Sequence, residues 1–239
     1  NPSQFTRHGV RVFNRSVRHV RSRADLVLCC SQATMDDCLL AGIEAERMRL
    51  IPWGVEIDRA GAADVQRVRA EYDLPEQYLL FVGTVEPRKN LKGLIAALDH
   101  LPDPPLLVVA GAPGWGDAGG EPRDGVRFLG FVPDDDLRAL YAGAEVFCYP
   151  STREGFGLPV LEAMAQCTAV VTSRGTATEE AAGGAAVLVD PADPADIARG
   201  IHEAQGRRAE LAVAGRAHAL RQSWATSAEL TRAAYLEVL

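Results

Sequence analysis

The 239-residue sequence predicts an α/β fold built on a doubly wound parallel sheet of the Rossmann-like kind. From about residue 78 onward, short apolar runs alternate steadily with helix-length stretches, which is typical of a parallel sheet covered by helices on both faces. Six such runs fit within roughly 115 residues, enough for one complete doubly wound unit. Hydrophobic residues at 47% and charged residues at 24% are ordinary for a globular protein.

The first fifty or so residues precede this alternation and predict a shorter set of elements. An amphipathic helix is expected over about Gln4–Arg23, because four apolar residues recur at helical spacing while arginines occupy a different face. A strand at Asp25–Cys30, a helix from the N-cap Ser31 to about Ala41, and a strand at Arg47–Ile51 follow. The segment Pro52-Trp53-Gly54-Val55 then indicates a domain boundary.

The alternating region supplies the strands and helices of the predicted sheet. The predicted strands are Tyr78–Val82, Leu106–Ala110, Val126–Leu129, Val146–Tyr149, Ala169–Thr172 and Ala186–Val189. The predicted helices are about Asn90–Leu101, Asp134–Gly143, Leu158–Gln166, Thr176–Ala182, Pro194–Ala204, Arg207–Ser223 and Ser227–Val238. The carboxyl ends of the strands should meet at one edge of the sheet, where ligands bind in folds of this kind.

Charge is distributed unevenly along the chain. The net charge of −7 does not favour binding to nucleic acid. Residues 1–23 contain six arginines and no acidic residue, whereas the remainder carries 19 basic and 32 acidic residues. The arginine stripe of residues 1–23 has two interpretations: a solvated helix face, or peripheral contact with anionic membrane headgroups. The five cysteines lack a CxxC spacing, which favours reduced thiols and a cytoplasmic location.

Two of the predicted strand ends are rich in glycine or in cations. After the first strand of the alternation, Arg88 and Lys89 stand just before a helix, where two cations can neutralise a diphosphate. The glycine cluster Gly111–Gly116 follows the next strand, but it lacks the GxGxxG spacing of a dinucleotide cradle. A long, flexible loop from Gly111 to Gly125 is the better prediction for that segment.

A third strand end carries the stretch Glu154–Glu162, in which a Gly-rich turn opens a helix between two carboxylates. Backbone N–H groups at such a helix N-terminus can receive an anion. Because carboxylates do not favour contact with phosphate, we expect Glu154 and Glu162 to hold hydroxyl groups. Phosphate and hydroxyl groups together suggest a sugar nucleotide as the ligand.

Together these segments resemble the C-terminal, donor-binding half of a retaining glycosyltransferase with the GT-B fold, from family 4 (glycosyl transferases group 1). The resemblance runs from about Asp25 to the C-terminus, and its most specific mark is the pair Glu154 and Glu162 with Gly-Phe-Gly between them. Trp53 stands where the family's interdomain linker usually has Asn. The matching segments are Gly83–Asn90, Gly114–Gly116, Val126–Val132, Glu154–Glu162 and Ile51–Glu56.

The resemblance implies a role for each matching residue. Arg88 and Lys89 would bind the donor diphosphate and stabilise the departing nucleotide, and Glu154 would accept hydrogen bonds from sugar hydroxyls close to the reacting carbon. These three are the implied catalytic residues. Glu162 would hold the ribose hydroxyls, and Phe131 lies in the turn that would hold the base. The remaining implied donor-binding residues are Gly83, Thr84 (where many relatives carry Arg), Gly155, Phe156, Gly157 and Leu158.

The resemblance also implies a division of the chain and a set of partners. Residues 1–52 would be the C-terminal part of an N-terminal acceptor domain, residues 53–224 the donor-binding domain, and residues 225–239 a helix that crosses back to the first domain. A missing N-terminal domain or a partner half would bind the acceptor, which is a glycan, lipid or small molecule. Apolar surface should then be exposed where that part belongs.

The implied donor is a nucleoside-diphosphate sugar, and no metal or other cofactor is required in the family. GDP-mannose is the first candidate, because many relatives with Gly-Thr-x-Glu-Pro-Arg-Lys-Asn transfer mannosyl groups, and a UDP-sugar is left open. The leaving phosphate would take the acceptor's proton. The five histidines lie outside these motifs and are expected to be structural or surface residues; they are His8, His19, His100, His202 and His218.

Other functions fit parts of the pattern. A glycosidase needs two carboxyl groups about 5–9.5 Å apart across one bond, whereas Glu154 and Glu162 are separated by a turn and two helical turns. A GT-B phosphorylase would need a pyridoxal lysine, and neither Lys89 nor Lys92 is placed as that cofactor requires. Two alternatives stay open: a non-catalytic sugar-nucleotide-binding subunit, and another GT-B activity such as a sugar-nucleotide epimerase.

Overall fold

The computed structural model describes residues 7–114 and 123–239, which fall into two compact units. Unit 1 comprises the described residues up to Gly54 together with Gln222–Leu239, and unit 2 comprises Val55–Arg221. Each unit therefore has its own internal packing. No helix in the described part of the chain is both long enough and apolar enough to cross a membrane.

Unit 1 is built around a pair of short parallel strands, β1 (Val27–Cys29) and β2 (Met48–Leu50). Their side chains Cys29 and Met48 are buried with Ile43 in a small apolar cluster. The helices of this unit are α1 (Arg7–Arg23), α2 (Gln32–Leu40) and α10 (Trp224–Leu236). The small size of this cluster means that unit 1 leaves much of its apolar surface uncovered.

Short polar contacts fix the helices of unit 1. Ser31 caps α2 as predicted, since its hydroxyl accepts a hydrogen bond from the backbone N–H of Thr34 at 3.0 Å. Ser227 on α10 donates to the carbonyl of Pro52 at 2.6 Å, and Arg49 pairs with Glu237. These contacts attach α10 to the segment that follows β2.

Apolar side chains of unit 1 surround a groove of about 570 Å³. Leu28, Trp53, Trp224 and Tyr235 line it and are between 38% and 59% exposed. Unit 1 therefore exposes apolar side chains along this groove. The five cysteines are free, and the sulfur atoms of Cys29 and Cys38 lie 3.9 Å apart.

Unit 2 is organised around one parallel sheet of six strands, as the sequence predicts. The strands are β3 (Tyr78–Val82), β4 (Leu106–Ala110), β5 (Val126–Gly130), β6 (Val146–Tyr149), β7 (Ala169–Ser173) and β8 (Val187–Val189). They lie in the order β5-β4-β3-β6-β7-β8, so the direction of winding reverses between β3 and β6. Ligands in such sheets bind at this reversal, in the crevice outside the carboxyl ends of the two strands.

Helices cover the sheet of unit 2 on both faces. They are α3 (Ala62–Glu71), α4 (Leu91–Leu98), α5 (Asp134–Gly143), α6 (Leu158–Ala165), α7 (Ala177–Ala182), α8 (Pro194–Gly206) and α9 (Arg208–Ala219). Every residue of β3, β6 and β7 is buried, because these inner strands have apolar side chains on both faces. This packing gives the switch point between β3 and β6 a rigid base.

The structure corrects several predicted boundaries. Helix α3 was not predicted, because only Val68 of its residues is buried and it has no strong apolar stripe. Helix α4 ends at Leu98 instead of Leu101. Helix α10 begins at Trp224 instead of Ser227, since Ser223 caps it by accepting a hydrogen bond from the N–H of Thr226.

Two predictions fall partly outside the described residues. Residues 4–6 of the predicted N-terminal helix are one case, and the other is the predicted glycine-rich loop, of which Trp115, Gly116 and the positions up to 122 are not described. Within the described part, Gly111 approaches the end of β3 so closely that a Cβ at this position would lie 2.1 Å from the carbonyl oxygen of Gly83. Only glycine fits there.

Candidate functional site

The loop that follows β3 holds two cations at the switch point. Arg88 and Lys89 lie in a 3₁₀ turn, Pro87–Lys89, directly before α4. The next residue, Asn90, has a left-handed backbone with φ 58°, and its amide donates to the carbonyls of Pro150 at 3.1 Å and Pro191 at 2.7 Å. These two bonds attach the cation-bearing loop to the segments that follow β6 and β8.

The loop that follows β6 is bonded directly to the cation-bearing loop. Thr152 donates twice to the carbonyl of Arg88, through its backbone N–H at 2.8 Å and through its hydroxyl at 3.1 Å. Glu154, two residues further on, is thereby placed beside Arg88 and Lys89. The structure thus brings together the three residues that the resemblance implied to be catalytic.

Glu154 is the centre of this cluster, and its two oxygens have different partners. Oε1 lies 3.0 Å from Nζ of Lys89 and accepts hydrogen bonds from the hydroxyls of Tyr149 at 2.9 Å and Ser151 at 3.1 Å. Oε2 accepts a hydrogen bond from the guanidinium of Arg88 at 2.5 Å. Lys89 also donates to the hydroxyl of Tyr149. The carboxylate is therefore held by hydroxyls and cations together.

The cluster is balanced in charge because Glu86 also pairs with Arg88. Burial raises the pKa of Glu154, but the charge and hydrogen bond of Lys89, followed by the charge of Arg88, outweigh it and lower that pKa below its ordinary value. Burial lowers the pKa of Arg88, but the charge and hydrogen bond of the Glu154 carboxylate outweigh burial, so the pKa of Arg88 lies above its ordinary value. A polyanionic ligand would therefore compete with Glu86 and Glu154 for the two cations.

Lys89 is packed against the end of β3. A Cβ on Gly83 would lie 3.4 Å from Cε of Lys89, and the φ of Gly83 is 144°, so glycine suits this position for both space and conformation. The Lys89 side chain is only 10% exposed, and its Nζ lies 4.9 Å from the centre of the Tyr149 ring. Thr84, the next residue of the loop, is exposed. The Lys89 amine is thus held in one position beside Tyr149 and Glu154.

Glu162 occupies the second turn of α6 and has a different environment. Its Oε2 accepts a hydrogen bond from the hydroxyl of Tyr141 at 2.9 Å. Burial raises the pKa of Glu162, and the hydrogen bond from Tyr141 offsets this rise only in part. Within the described chain Glu162 forms no ion pair with a cation. This carboxylate can accept further hydrogen bonds from the hydroxyl groups of a ligand.

A row of buried aromatic rings connects the two glutamates. Tyr141 and Tyr149 each donate to one of the carboxylates, and Phe147 lies between their rings. The ring centres of Tyr141 and Phe147 are 5.2 Å apart in an edge-on arrangement, and those of Phe147 and Tyr149 are 5.6 Å apart and stacked. Burial raises the pKa of both tyrosines well above its ordinary value. Both hydroxyls therefore stay protonated and act as donors.

The turn between the glutamates leads into α6 and packs against the start of α7. Gly157 is the N-cap of this helix with φ 115°, and a Cβ there would lie 3.1 Å from the methyl group of Thr178. Phe156 is buried, whereas Gly155 is exposed and Leu158 is half-buried. The described residues provide no side-chain cap for the α6 N-terminus, which is an end that favours anionic groups.

Phe131 is the predicted site residue that lies farthest along the sheet from the cation cluster. It follows β5, which is an edge strand of the sheet, and β4 lies between β5 and β3. Its side chain is 80% exposed. The described contacts do not join Phe131 to Arg88, Lys89 or Glu154.

Sequence reasoning missed the supporting hydroxyls of the site, namely those of Tyr141, Tyr149 and Ser151. The available signal was that a tyrosine in a buried strand or helix needs a partner for its hydroxyl. His218 is buried with Nε2 at 2.9 Å from the carbonyl of Ala181, and the other four histidines are exposed, which confirms their interpretation as structural or surface residues. The described residues contain no cluster of three or more His, Cys, Asp or Glu side chains that could hold a metal ion.

The fold and the site define a class of protein: an α/β protein whose parallel sheet reverses its winding between β3 and β6, with two cations and a carboxylate at the reversal. Residues 64–213 match the family described as glycosyl transferases group 1, and the chain belongs to that family. The predicted family is therefore confirmed.

Comparison with known proteins agrees with the family assignment. The chain is 34% identical over 254 residues to the O-antigen chain mannosyltransferase B of Escherichia coli, and 33% identical over 242 residues to the serotype-specific mannosyltransferase WbdA of the same species. It superposes on HepE of Anabaena, solved in complex with UDP and glucose, with a TM-score of 0.84 and 24% identity over the whole chain. The structural neighbours are GT-B glycosyltransferases, which confirms the predicted fold class.

The chain spans only part of these relatives. It covers 66% of mannosyltransferase B, 29% of WbdA and 69% of HepE, whereas 98%, 91% and 100% of this chain are covered in return. What the complete relatives bind and transfer is therefore a guide to this chain's function and not a description of it.

Proposed function

We propose that unit 2 is the donor-binding domain of a retaining glycosyltransferase, which transfers a hexose from a nucleoside-diphosphate sugar to a glycan, lipid or small-molecule acceptor. The observation that carries the proposal is the cluster of Arg88, Lys89 and Glu154 at the reversal between β3 and β6. Two cations and a carboxylate at one point of the crevice suit a diphosphate bonded to a sugar.

The proposed roles assign the cations of the crevice to the diphosphate and its carboxylates to hydroxyl groups. Arg88 and Lys89 bind the diphosphate and stabilise the negative charge that develops on the leaving nucleotide. Glu154 accepts hydrogen bonds from sugar hydroxyls, and Glu162 accepts them from the ribose. The turn of Phe131 holds the base. Gly83, Thr84 and the backbone of Gly155, Phe156, Gly157 and Leu158 complete the donor site, and no metal ion or other cofactor takes part.

Mannose is the proposed sugar, and GDP-mannose the proposed donor. The proposal is supported by the two Escherichia coli relatives, both of which are described as mannosyltransferases. The HepE structure holds UDP and glucose, so UDP-glucose is the natural comparison in any test. Identity of 24% to HepE supports the fold and not the choice of base.

The proposed acceptor half lies outside residues 53–224. Residues 1–52 are proposed to belong to the acceptor domain, and residues 225–239 to a helix that returns to it. This division is supported by the contacts of Arg49 with Glu237 and of Ser227 with the carbonyl of Pro52, which join the two ends of unit 1. Transfer itself is proposed for this chain together with that acceptor half.

Thermal protection of the chain by nucleotides tests the donor-site proposal. GDP-mannose or UDP-glucose at 100 times its Kd should stabilise the chain by about 2.7 kcal/mol. Arg88→Ala and Glu162→Ala should each abolish the protection. Arg207→Ala and Glu210→Ala are the matched controls, because they break an exposed ion pair of unit 2 away from the crevice. Absence of protection by any nucleotide sugar would overturn the proposal.

Retention of configuration is tested on the product. The chain joined to its acceptor half is incubated with GDP-mannose and a lipid-linked or free glycan acceptor, and the anomeric configuration of the new bond is read by NMR. A product with the α configuration of the donor supports a retaining enzyme. An inverted product would contradict it.

We also propose that helix α1 makes peripheral contact with an anionic membrane. Arg11, Arg15 and Arg18 recur on one side of the helix, are exposed, and pair with no acidic side chain among the described residues. Since residues 1–23 contain no acid, this face is attracted to anionic lipid headgroups.

Vesicle flotation tests the membrane contact. The chain should float with vesicles that contain phosphatidylglycerol, and less so at high salt. Replacing Arg11, Arg15 and Arg18 with Gln should weaken binding roughly a hundredfold, since each arginine near the surface contributes about 1 kcal/mol. Gln at three arginines of unit 2 is the control: Arg138, Arg199 and Arg207. Equal binding to pure phosphatidylcholine would contradict an electrostatic contact.

A further inference from the structure

We infer that Tyr149 is a positioning residue which holds Glu154 in place when the donor displaces its cationic partners. The inference rests on the proposed function, because it concerns the same donor site. It starts from the unequal surroundings of the two Glu154 oxygens: Oε1 accepts from two hydroxyls and pairs with Lys89, whereas Oε2 accepts from the Arg88 guanidinium.

The two sets of partners differ in mobility. The hydroxyls of Tyr149 and Ser151 belong to residues with no exposed surface; Tyr149 ends β6, and Ser151 lies two residues beyond it. The ring of Tyr149 is stacked on Phe147 at 5.6 Å and lies 6.0 Å from Phe81, so its hydroxyl cannot follow a ligand. The Arg88 side chain is 30% exposed, and its guanidinium stands at the end of a long flexible stem, so it can turn toward a diphosphate.

A diphosphate that recruits Arg88 therefore uncovers one oxygen of Glu154 and leaves the other in place. Oε2 loses its partner and becomes able to accept a hydrogen bond from a sugar hydroxyl. Oε1 keeps Tyr149 and Ser151 even if Lys89 also moves toward the phosphate. Oε1 thus anchors the carboxylate through its hydrogen bond from Tyr149. Oε2 becomes free to bind the sugar once the diphosphate has drawn Arg88 away.

Tyr149→Phe tests this role because it removes the hydroxyl and keeps the stacked ring. Tyr78→Phe is the matched control: Tyr78 is equally buried, and its hydroxyl donates to the carbonyl of Leu140 at 2.7 Å, at the opposite end of β3 from the site. The dissociation constants of two probe pairs are measured by calorimetry for the whole chain, GDP with GDP-mannose and UDP with UDP-glucose.

Tyr149→Phe should raise the Kd of the nucleotide sugar about tenfold and that of its parent nucleoside diphosphate by less than about twofold. Tyr78→Phe should change neither value. Glu154→Gln should show the same selective loss, and adding Tyr149→Phe to it should produce little further loss, because the two act through one contact. A purely structural role for Tyr149 would weaken both ligands alike.

The outcomes separate the two proposals. If the wild-type chain binds nucleotide sugars and Tyr149→Phe weakens both members of a pair equally, or neither, the positioning role is overturned while the donor site stands. If the wild-type chain binds neither pair, the donor site fails and the role of Tyr149 with it.

Discussion

The two glutamates of the site should affect the stability of the free chain in opposite directions. The perturbation is the replacement of each by Gln, which keeps the side-chain shape and removes the charge. Glu154 is paired with Lys89 and Arg88, whereas Glu162 has only the Tyr141 hydroxyl as a described hydrogen-bond partner. At neutral pH the first charge therefore stabilises the fold, and the second one opposes it.

The magnitude for Glu154 follows from what its loss leaves behind. Arg88 keeps Glu86 as a partner, but Lys89, at 10% exposure, loses its nearest carboxylate. Breaking a fully buried pair costs about 3–5 kcal/mol, and the 30% exposure of Arg88 moves the expected loss to about 2–3 kcal/mol. For a domain of this size Tm should fall by roughly 5–10 °C.

Glu162→Gln should have the opposite effect on Tm. The Tyr141 hydroxyl can still donate to the Gln side-chain carbonyl, while the cost of burying a charge disappears. A gain of about 1 kcal/mol is typical where a functional group is removed from a site that it destabilises, and it should raise Tm by about 2–4 °C. The same variant should bind nucleotide sugars poorly.

The pH dependence gives the sign of each contribution. The pKa of Glu154 is lowered in the folded state, so its stabilisation is present above the ordinary value of 4.5 and is lost as the pH falls through the folded-state pKa. The pKa of Glu162 is raised, so its contribution favours folding below 4.5 and is lost as the pH rises through the folded-state pKa. Both Gln variants should therefore approach wild-type Tm in acid.

The assay is thermal unfolding by circular dichroism without ligand, at pH 7 and at a series of decreasing pH values below 4.5. Lys89→Met in the Glu154→Gln background is the control, since removing the stranded cation should recover part of the lost stability. A Glu162→Gln chain that is less stable than wild type at pH 7 would refute the reasoning, as would two variants that shift Tm in the same direction.

Two further predictions concern the backbone of the site. Gly157→Ala should lower stability by about 1–2 kcal/mol, because its φ of 115° strains an L-residue and its Cβ would meet Thr178 at 3.1 Å; urea unfolding measures this, and an unchanged midpoint would contradict it. Asn90→Ala should destabilise by about 2 kcal/mol and Asn90→Gly by less, since Gly keeps the left-handed backbone and loses only the bonds to Pro150 and Pro191; equal losses in the same assay would show that the backbone conformation contributes nothing.

The sequence predicts the sheet well because its strands are apolar on both faces and bounded by glycine or charge. All six predicted strands of unit 2 are present, within one or two residues at each end. Helix α3 was missing from the prediction, because a helix that buries only Val68 has little apolar periodicity to detect.

The candidate site was predicted in its position and only partly in its chemistry. Parallel strands place their carboxyl ends together, so the meeting of Arg88, Lys89 and Glu154 could be expected from topology. That Glu154 already pairs with both cations could not, because it depends on which rotamers the loops allow. The contributions of Tyr141 and Tyr149 were also hidden, since a buried tyrosine does not reveal in sequence where its hydroxyl points.

The aromatic row of Tyr141, Phe147 and Tyr149 makes the distance between the two glutamates a property of the core. Each carboxylate accepts a hydrogen bond from a tyrosine, and both tyrosine rings pack on Phe147. The position of Phe147 therefore fixes the distance between the two glutamates. In the proposed donor site, loop mutations would alter which sugar or base is accepted without changing the length of donor that fits. Altering that length requires repacking the centre of the sheet, where Phe147 has no exposed surface and every change is felt.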